Sequence, residues 1–197
     1  MRYGKSYETI VISQPLLNQM LYKLLSEKLK MSTGKTLSST NKTKRNSNVT
    51  FINDKLLLKE FLDVTNTVNT NAGWNFNIDT IEPLQYGEYN KSQEYGWHVD
   101  QHNKPYSDHR VRKISFSIFL NDDYTGGEFD LELHSPSIKT RYETFSKLPL
   151  NTALFFQSDY WHRVRPVTKG VRKSLVGWVL GPEFKWKYQK STKYIWH

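Results

Sequence analysis

The stretch Tyr95-Gly96-Trp97-His98-Val99-Asp100 carries two potential metal ligands, His98 and Asp100, one residue apart. On an extended strand, residues i and i+2 point to the same face. An imidazole and a carboxylate would therefore be presented together. His162 is the candidate for a third donor. Two His and one carboxylate form the facial triad of non-haem Fe(II) sites, which leaves coordination positions open for substrate and O2. Taken singly, any of the six His reads as a surface residue or a hydrogen-bonded core residue.

Arg172 argues for more. It lies ten residues beyond His162 (172 − 162), past the turn Pro166-Val167-Thr168-Lys169-Gly170. Alternation along Arg172-Lys173-Ser174-Leu175-Val176-Gly177-Trp178 puts Arg172, Ser174, Val176 and Trp178 on one face. An unpaired buried charge is very costly, so a buried-face Arg needs an anionic partner. Its planar fork suits a carboxylate, and Ser174 adds a hydroxyl. A metal triad beside an Arg–Ser clamp suits a dicarboxylate that chelates the metal at one end and is held at the other.

Short strands must position these groups. Segments 74–82, 84–90, 95–101, 112–120, 127–133, 139–145, 152–157, 162–167 and 172–180 are rich in aromatic and β-branched residues and are separated by turn signals such as Asp122 to Gly127. Such spacing predicts an antiparallel sandwich or barrel. Residues 7–12 predict a first strand, with a break at Gln14-Pro15. Leu17, Met20, Leu21, Leu24, Leu25 and Leu29 recur at helical spacing, which predicts a helix from Leu16 to about Lys30. A second helix is expected over Asp54 to Asn69, ended by Asn71-Ala72-Gly73. Residues 31–50 are polar and predict a long loop, either a substrate lid or a connector. Gln101 to Arg110, directly after Asp100, reads as a lid over the site or as an ordinary hairpin loop.

The 197 residues are enough for one domain with a full-sized core. Aromatic residues reach 14%, and the absence of cysteine excludes disulfides, thiolate metal sites and a Cys nucleophile. With no membrane-length apolar run and no signal-like apolar region at the N-terminus, the expectation is a cytoplasmic protein with no membrane partner, monomeric or homodimeric. The net charge of +9 reads as attraction to nucleic acid or an acidic substrate, or as a lysine-rich solvated surface. The basic aromatic tail could stack on a partner or on nucleic acid, or pack back as a strand.

The combination Tyr89-x5-Tyr95-x2-His98-x-Asp100, then Gly126-Gly127-Glu128-Phe129, Phe155-Phe156-Gln157-Ser158 and His162-x9-Arg172, resembles the Fe(II)/2-oxoglutarate dioxygenases. Within that family it is similar to the prolyl 4-hydroxylase-like and PKHD-type hydroxylases. The resemblance runs from about Trp74 to Gly181. Prolyl hydroxylases of the secretory pathway carry Lys where this chain has Arg172, so the PKHD-type or oxygen-sensing branch is nearer. Glu88 stands where the family often has Arg.

The resemblance implies an α+β protein with a double-stranded β-helix (jelly-roll) core and N-terminal supporting helices. The expected division is 1–72 as an N-terminal strand and helical region, 73–183 as the dioxygenase domain, and 184–197 as the tail. It implies Fe(II) bound by His98, Asp100 and His162, with the distal carboxylate of 2-oxoglutarate on Arg172 and Tyr89 lining the cosubstrate pocket. Trp178 matches a pocket aromatic. Tyr95, Trp97, Asn75 and His102 are the expected substrate contacts. The implied reaction uses O2 and 2-oxoglutarate, with ascorbate as an optional reductant, to hydroxylate a protein or peptide side chain, with proline as the leading candidate. Oxidation of nucleic acid, a free amino acid or another small molecule is the alternative. A silent jelly-roll binding module would be expected to lack a ligand or Arg172, and all four residues are present.

Overall fold

The computed structural model describes residues 4–27, 32–34, 46–133 and 141–184. Residues 185–197 of the predicted tail, residues 31 and 35–45 of the polar segment and the last residues of the first predicted helix lie outside the described residues. The described strands are β1 (Tyr7–Val11), β2 (Ser32–Gly34), β3 (Ser47–Ile52), β4 (Thr80–Ile81), β5 (Leu84–Tyr89), β6 (Tyr95–His98) and β7 (Arg110–Phe119). They continue with β8 (Thr125–Gly126), β9 (Phe129–Glu132), β10 (Tyr142–Phe145), β11 (Thr152–Gln157), β12 (His162–Val164), β13 (Val167–Lys169) and β14 (Arg172–Pro182). The helices are α1 (Gln14–Glu27) and α2 (Lys55–Asn71).

An eight-stranded sheet runs β1-β11-β7-β14-β5-β3-β2, with β4 added beside β14. A four-stranded sheet runs β10-β9-β12-β6, and β13 pairs with β8. Strands β7 and β14 lie centrally and are covered on both faces, which is why their residues are buried almost continuously instead of alternately. Gly177 on β14 is required where it stands, because the Phe116 ring of β7 crosses it. A Cβ there would come within 2.2 Å of that ring.

The helices close one face of the large sheet. Asp54 caps α2 by accepting from the Leu57 N–H at 3.0 Å. Leu57, Phe61 and Val68 then pack inward, and Phe61 stacks on Phe116 with ring centroids 5.3 Å apart. Leu16, Leu17, Met20 and Leu24 of α1 join the same core, whereas Leu21 and Leu25 face solvent. A second core lies between the two sheets. It contains Tyr89, Phe119, Phe129, Leu131, Leu154, Phe156 and Val164.

Three expectations need correction. Gln14-Pro15 is the first turn of α1 and not a break, because proline's missing N–H costs nothing where helix N–H groups have no partner anyway. The end of the predicted 31–50 loop is strand β3, whose Asn48 to Ile52 pair with Glu88 to Leu84 of β5. Its polar residues hid a strand that borders β5. Of the predicted 74–82 strand, only Thr80–Ile81 is extended. Asn75 adopts φ 52, and its N–H bonds back to the Asn69 carbonyl after α2.

Candidate metal and dicarboxylate site

Strands β6 and β12 pair so that His98 and His162 are direct cross-strand partners. Their rings lie 4.1 Å apart, centroid to centroid. His98 Nδ1 is 2.8 Å from the Gly96 carbonyl, and His162 Nδ1 is 3.0 Å from the Tyr160 carbonyl. A carbonyl only accepts, so each Nδ1 carries the proton and each Nε2 keeps its lone pair. That backbone bond fixes tautomer and ring orientation as in bound metal ligands. Aromatic packing holds the rings further: Tyr95 stacks on His98 at 3.5 Å, and Phe129 and Phe156 flank His162.

Asp100 completes the group from the segment just beyond β6. Its N–H and that of Gln101 both donate to the Ser158 carbonyl, at 2.9 and 2.8 Å. Arg112 donates to the Asp100 carbonyl at 3.3 Å. The Asp100 carboxylate lies 3.4 Å from His162 Nε2 and 3.8 Å from His98 Nε2. One ligand atom from each residue lies within 4.8 Å of the others, and all three residues are buried. Burial, the largest influence on Asp100, works against ionisation. The acid's pKa is nonetheless lowered, by His162 and His98 in their protonated forms, by Arg112 and by the Ser115 hydroxyl. Asp100 Oδ2 is buried without a hydrogen-bond partner. Two unprotonated imidazole nitrogens and one unsatisfied carboxylate oxygen converge, a donor set suited to a divalent first-row metal.

The same cavity extends to Arg172. This residue is 1% exposed. Its Nη1 donates to Ser174 Oγ at 2.9 Å, while Nε and Nη2 are buried without a partner. Among the described residues, no carboxylate forms an ion pair with it. The guanidinium lies over the Phe119 and Tyr89 rings at 5.0 and 5.7 Å, and the Tyr124 hydroxyl lies within its electrostatic reach. Gly127 makes room for its stem. At φ +67, a Cβ there would sit 3.0 Å from Arg172 Cδ. The cavity wall therefore joins the triad, Arg172, Ser174, Tyr89, Tyr95 and Trp178.

Of the four expected substrate contacts, three are placed elsewhere and one is in the wall. Tyr95 is part of the cavity wall. Trp97 alternates with His98 and faces the opposite side of the small sheet, in a separate groove. Asn75 lines neither cavity, since the turn after α2 holds it. His102 is exposed and packs edge-on against Tyr106. The Gln101 to Arg110 segment is closed by the Tyr106 N–H to the Arg110 carbonyl and the His109 N–H to the Tyr106 carbonyl, both at 2.9 Å. Sequence reasoning missed Arg112, which pairs with Glu82 and lies 4.1 Å over the Trp178 ring. It also missed Gln85 and Ser117 of the cavity wall. Arg112 opens the predicted 112–120 strand, and a charge in a central strand is the one available signal.

Residues 84–180 match the family model of the 2OG-Fe(II) oxygenase superfamily. Among curated relatives the chain is 40% identical over 87 residues to a PKHD-type hydroxylase of Synechococcus sp. (strain CC9902), a match covering 43% of this chain and 35% of that protein. It is 38% identical over 104 residues to another from Picosynechococcus sp. (strain ATCC 27264 / PCC 7002 / PR-6), covering 51% and 42%. The matched part thus spans less than half the length of these relatives. In fold it is similar to a Pseudomonas putida prolyl-4-hydroxylase, with a TM-score of 0.63 at 16% identity over 88% of this chain and 92% of that one. It is also similar to a Trichoplax adhaerens prolyl hydroxylase solved with a hypoxia inducible factor peptide fragment. There the TM-score is 0.65 at 16% identity, over 89% and 83%.

Proposed function

We propose that the protein is an Fe(II)- and 2-oxoglutarate-dependent dioxygenase that hydroxylates a protein or peptide side chain, with proline as the leading substrate residue. The observation that carries this reading is one buried cavity holding both a three-donor metal cluster and a guanidinium with no counterion. His98, Asp100 and His162 would hold Fe(II), and Arg172 with Ser174 would take the far carboxylate of 2-oxoglutarate. Bound together, these groups supply O2 activation coupled to loss of CO2 from 2-oxoglutarate, leaving succinate and a hydroxylated product.

The chain's own residues supply orientation. The Gly96 and Tyr160 carbonyls aim both Nε2 atoms inward. Arg172 aligns the dicarboxylate by paired hydrogen bonds, which a lysine could not match in plane. The Phe119, Phe129 and Phe156 rings exclude water around the site, which strengthens each electrostatic contact. Two sheets packed around a shared core support a double-stranded β-helix for the catalytic unit, here 73–183, with 1–72 adding strands and helices to it. A monomer or homodimer is the proposed assembly. The cysteine-free sequence is compatible with a cytoplasmic setting, and ascorbate is the proposed accessory reductant. Among the described residues, no helix is long and apolar enough to cross a membrane.

The test is succinate formation from 2-oxoglutarate with Fe(II), alongside mass spectrometry of peptide and nucleic-acid libraries. The expected product is a peptide heavier by one oxygen. Activity should fall at least about a thousandfold in His98→Ala, because the metal loses a ligand. Full activity in that variant, or oxidation of nucleic acid with peptides untouched, would overturn the reading.

A further inference from the structure

Glu82, between β4 and β5, bonds three parts of the chain at the Trp178 end of the metal cavity. Its N–H donates to the Trp178 carbonyl at 2.9 Å. Its carboxylate receives Arg112 in a planar fork, Nε to Oε1 at 2.8 Å and Nη2 to Oε2 at 2.5 Å. Oε1 also accepts from the Tyr106 hydroxyl at 2.9 Å. Arg112 passes the constraint on. Its guanidinium lies 4.1 Å over the Trp178 ring, and Nη1 donates to the Asp100 carbonyl. A bulge makes this possible. Ile114 is registered opposite Val179 and Arg112 opposite Leu180, so Lys113 is an extra residue in β7. Leu180 and Trp178 are two apart on β14. The bulge therefore brings Arg112 to the face of Trp178, where plain alternation would turn it away.

We propose that Glu82 is a positioning residue for the metal cavity, acting through Arg112 on Asp100 and Trp178, and that Tyr106 ties the 101–110 segment to the same carboxylate. The inference rests on reading His98, Asp100 and His162 as metal ligands. Charge carries it first. Glu82 and Arg112 satisfy each other in two bonds, so this pair, unlike Arg172, asks for no ligand. What remains of its bonding goes to the main chain of one metal ligand and to the ring of a wall residue. Anchorage carries it second. Ser158 holds the Asp100 N–H and Arg112 holds the Asp100 carbonyl, so the residue is fixed on both sides while its Oδ2 stays without a partner. Connectivity carries it third. The segment starts directly after Asp100 and ends at Arg110, two residues before Arg112. Tyr106, Glu82, Arg112 and Asp100 therefore form a closed ring of contacts, completed by the chain itself. Any outward movement of Tyr106 pulls on the residue that precedes the segment. The ring also sits where access is possible. Trp178 is six residues from Arg172 along β14, about 20 Å. Arg172 is 1% exposed, whereas Tyr106 at the other end is 36% exposed.

The experiment titrates the full chain with Co(II) as the metal probe and follows amide hydrogen exchange in the metal-free protein. In Glu82→Gln, the amide can accept from only one of the two Arg112 donors. Co(II) should then bind at least about tenfold more weakly, with a changed d–d absorption spectrum. Tyr106→Phe removes a single hydroxyl and should weaken Co(II) by about threefold. In both variants the Tyr106 and His109 amides should exchange at least about tenfold faster. In the double variant the two losses of affinity should combine to less than their product, because both act through one carboxylate. Melting curves separate position from stability. A purely structural ion pair would lower the melting temperature of Glu82→Gln and leave the Co(II) affinity and spectrum of the folded variant unchanged, and that result would overturn the proposal. Where Glu82→Gln does not fold, Tyr106→Phe decides alone, and parental exchange and affinity in it would overturn the proposal equally. A parent protein that binds no Co(II) would remove the metal reading and this inference with it. Normal binding by the parent with unaltered variants would remove the inference only.

Discussion

Two buried charges sit on opposite sides of the small sheet's core and are treated in opposite ways. Asp130, fully buried on β9, receives Arg163 at 2.6 Å, Arg165 at 2.8 and 3.0 Å, and the Thr144 hydroxyl at 2.7 Å. Arg172, equally buried on β14, donates to one serine hydroxyl and meets no carboxylate among the described residues. The chain thus supplies every partner for one charge and leaves the other incomplete. Asp130 ties β9, β10 and β12 together and so holds the strand that carries His162. Arg172 is a charge that the fold alone does not justify, because a buried cation without a partner destabilises the folded state. Its partner is expected from outside the chain. The difference separates a structural charge from a binding one without reference to any ligand.

The largest expected effect tests the structural side. Asp130→Asn strands two arginines, and removing one member of a buried pair typically costs about 3–5 kcal/mol. Both arginines are about a third exposed, so a value near 3 kcal/mol is expected, read from urea unfolding. Unchanged stability would remove Asp130 from its structural role.

The binding side should respond with the opposite sign. Arg172→Met keeps length and removes an unpaired charge, so the ligand-free protein should gain about 1–3 kcal/mol. At the same time, the variant should lose the rise in melting temperature that 2-oxoglutarate gives the parent protein, a rise set by ligand concentration over Kd. A loss of stability comparable to that of Asp130→Asn would erase the distinction.

Acid should sharpen it further. Burial pushes the Asp130 acid upward, but the hydrogen bonds from Arg165, Thr144 and Arg163 outweigh it, and its pKa lies below the usual 3.8. A carboxyl lowered in the folded state adds stability above its unfolded pKa, and that stability is lost as pH falls through the folded value. The parent should therefore lose more stability than Asp130→Asn between pH 6 and pH 2.5. Parallel curves would contradict the pairing.

The smallest effect concerns Lys113, a buried cation with no carboxylate partner among the described residues, lying over the Phe184 ring. Burial pushes its pKa down to about 8. The unfolded chain binds this proton more tightly, so stability rises with pH between about 8 and 10.5. Lys113→Met should raise the melting temperature by a few degrees at pH 7, with the gain shrinking towards pH 10. A gain that does not depend on pH would point to packing instead.

Much of this arrangement was legible in the sequence because it follows local rules. Strand β11 coincides with the predicted 152–157, and β5 with all but the last residue of 84–90. Period-2 alternation marked His98 with Asp100 and Arg172 with Ser174. The same rule implies that Trp97 faces away from His98, and it lines a separate groove. Other features depend on pairing across the sheet, which no local pattern encodes. Asp130 is an ordinary acid in the sequence until β12 brings Arg163 and Arg165 beside it. Ser158 becomes the anchor of Asp100 only when its carbonyl meets two N–H groups from beyond β6. Strand β3 reads as loop because Ser47 and Asn48 are polar, yet it borders β5 in the main sheet.

The most direct test of the central claim is anaerobic equilibrium binding of 2-oxoglutarate to the Fe(II)-loaded protein. The parent should bind one equivalent, and Arg172→Met should bind at least about a hundredfold more weakly, since a bidentate charged contact is worth roughly 3 kcal/mol. Equal affinity in the two proteins would mean that the unpaired guanidinium is not waiting for a dicarboxylate, and the account would fail at its centre.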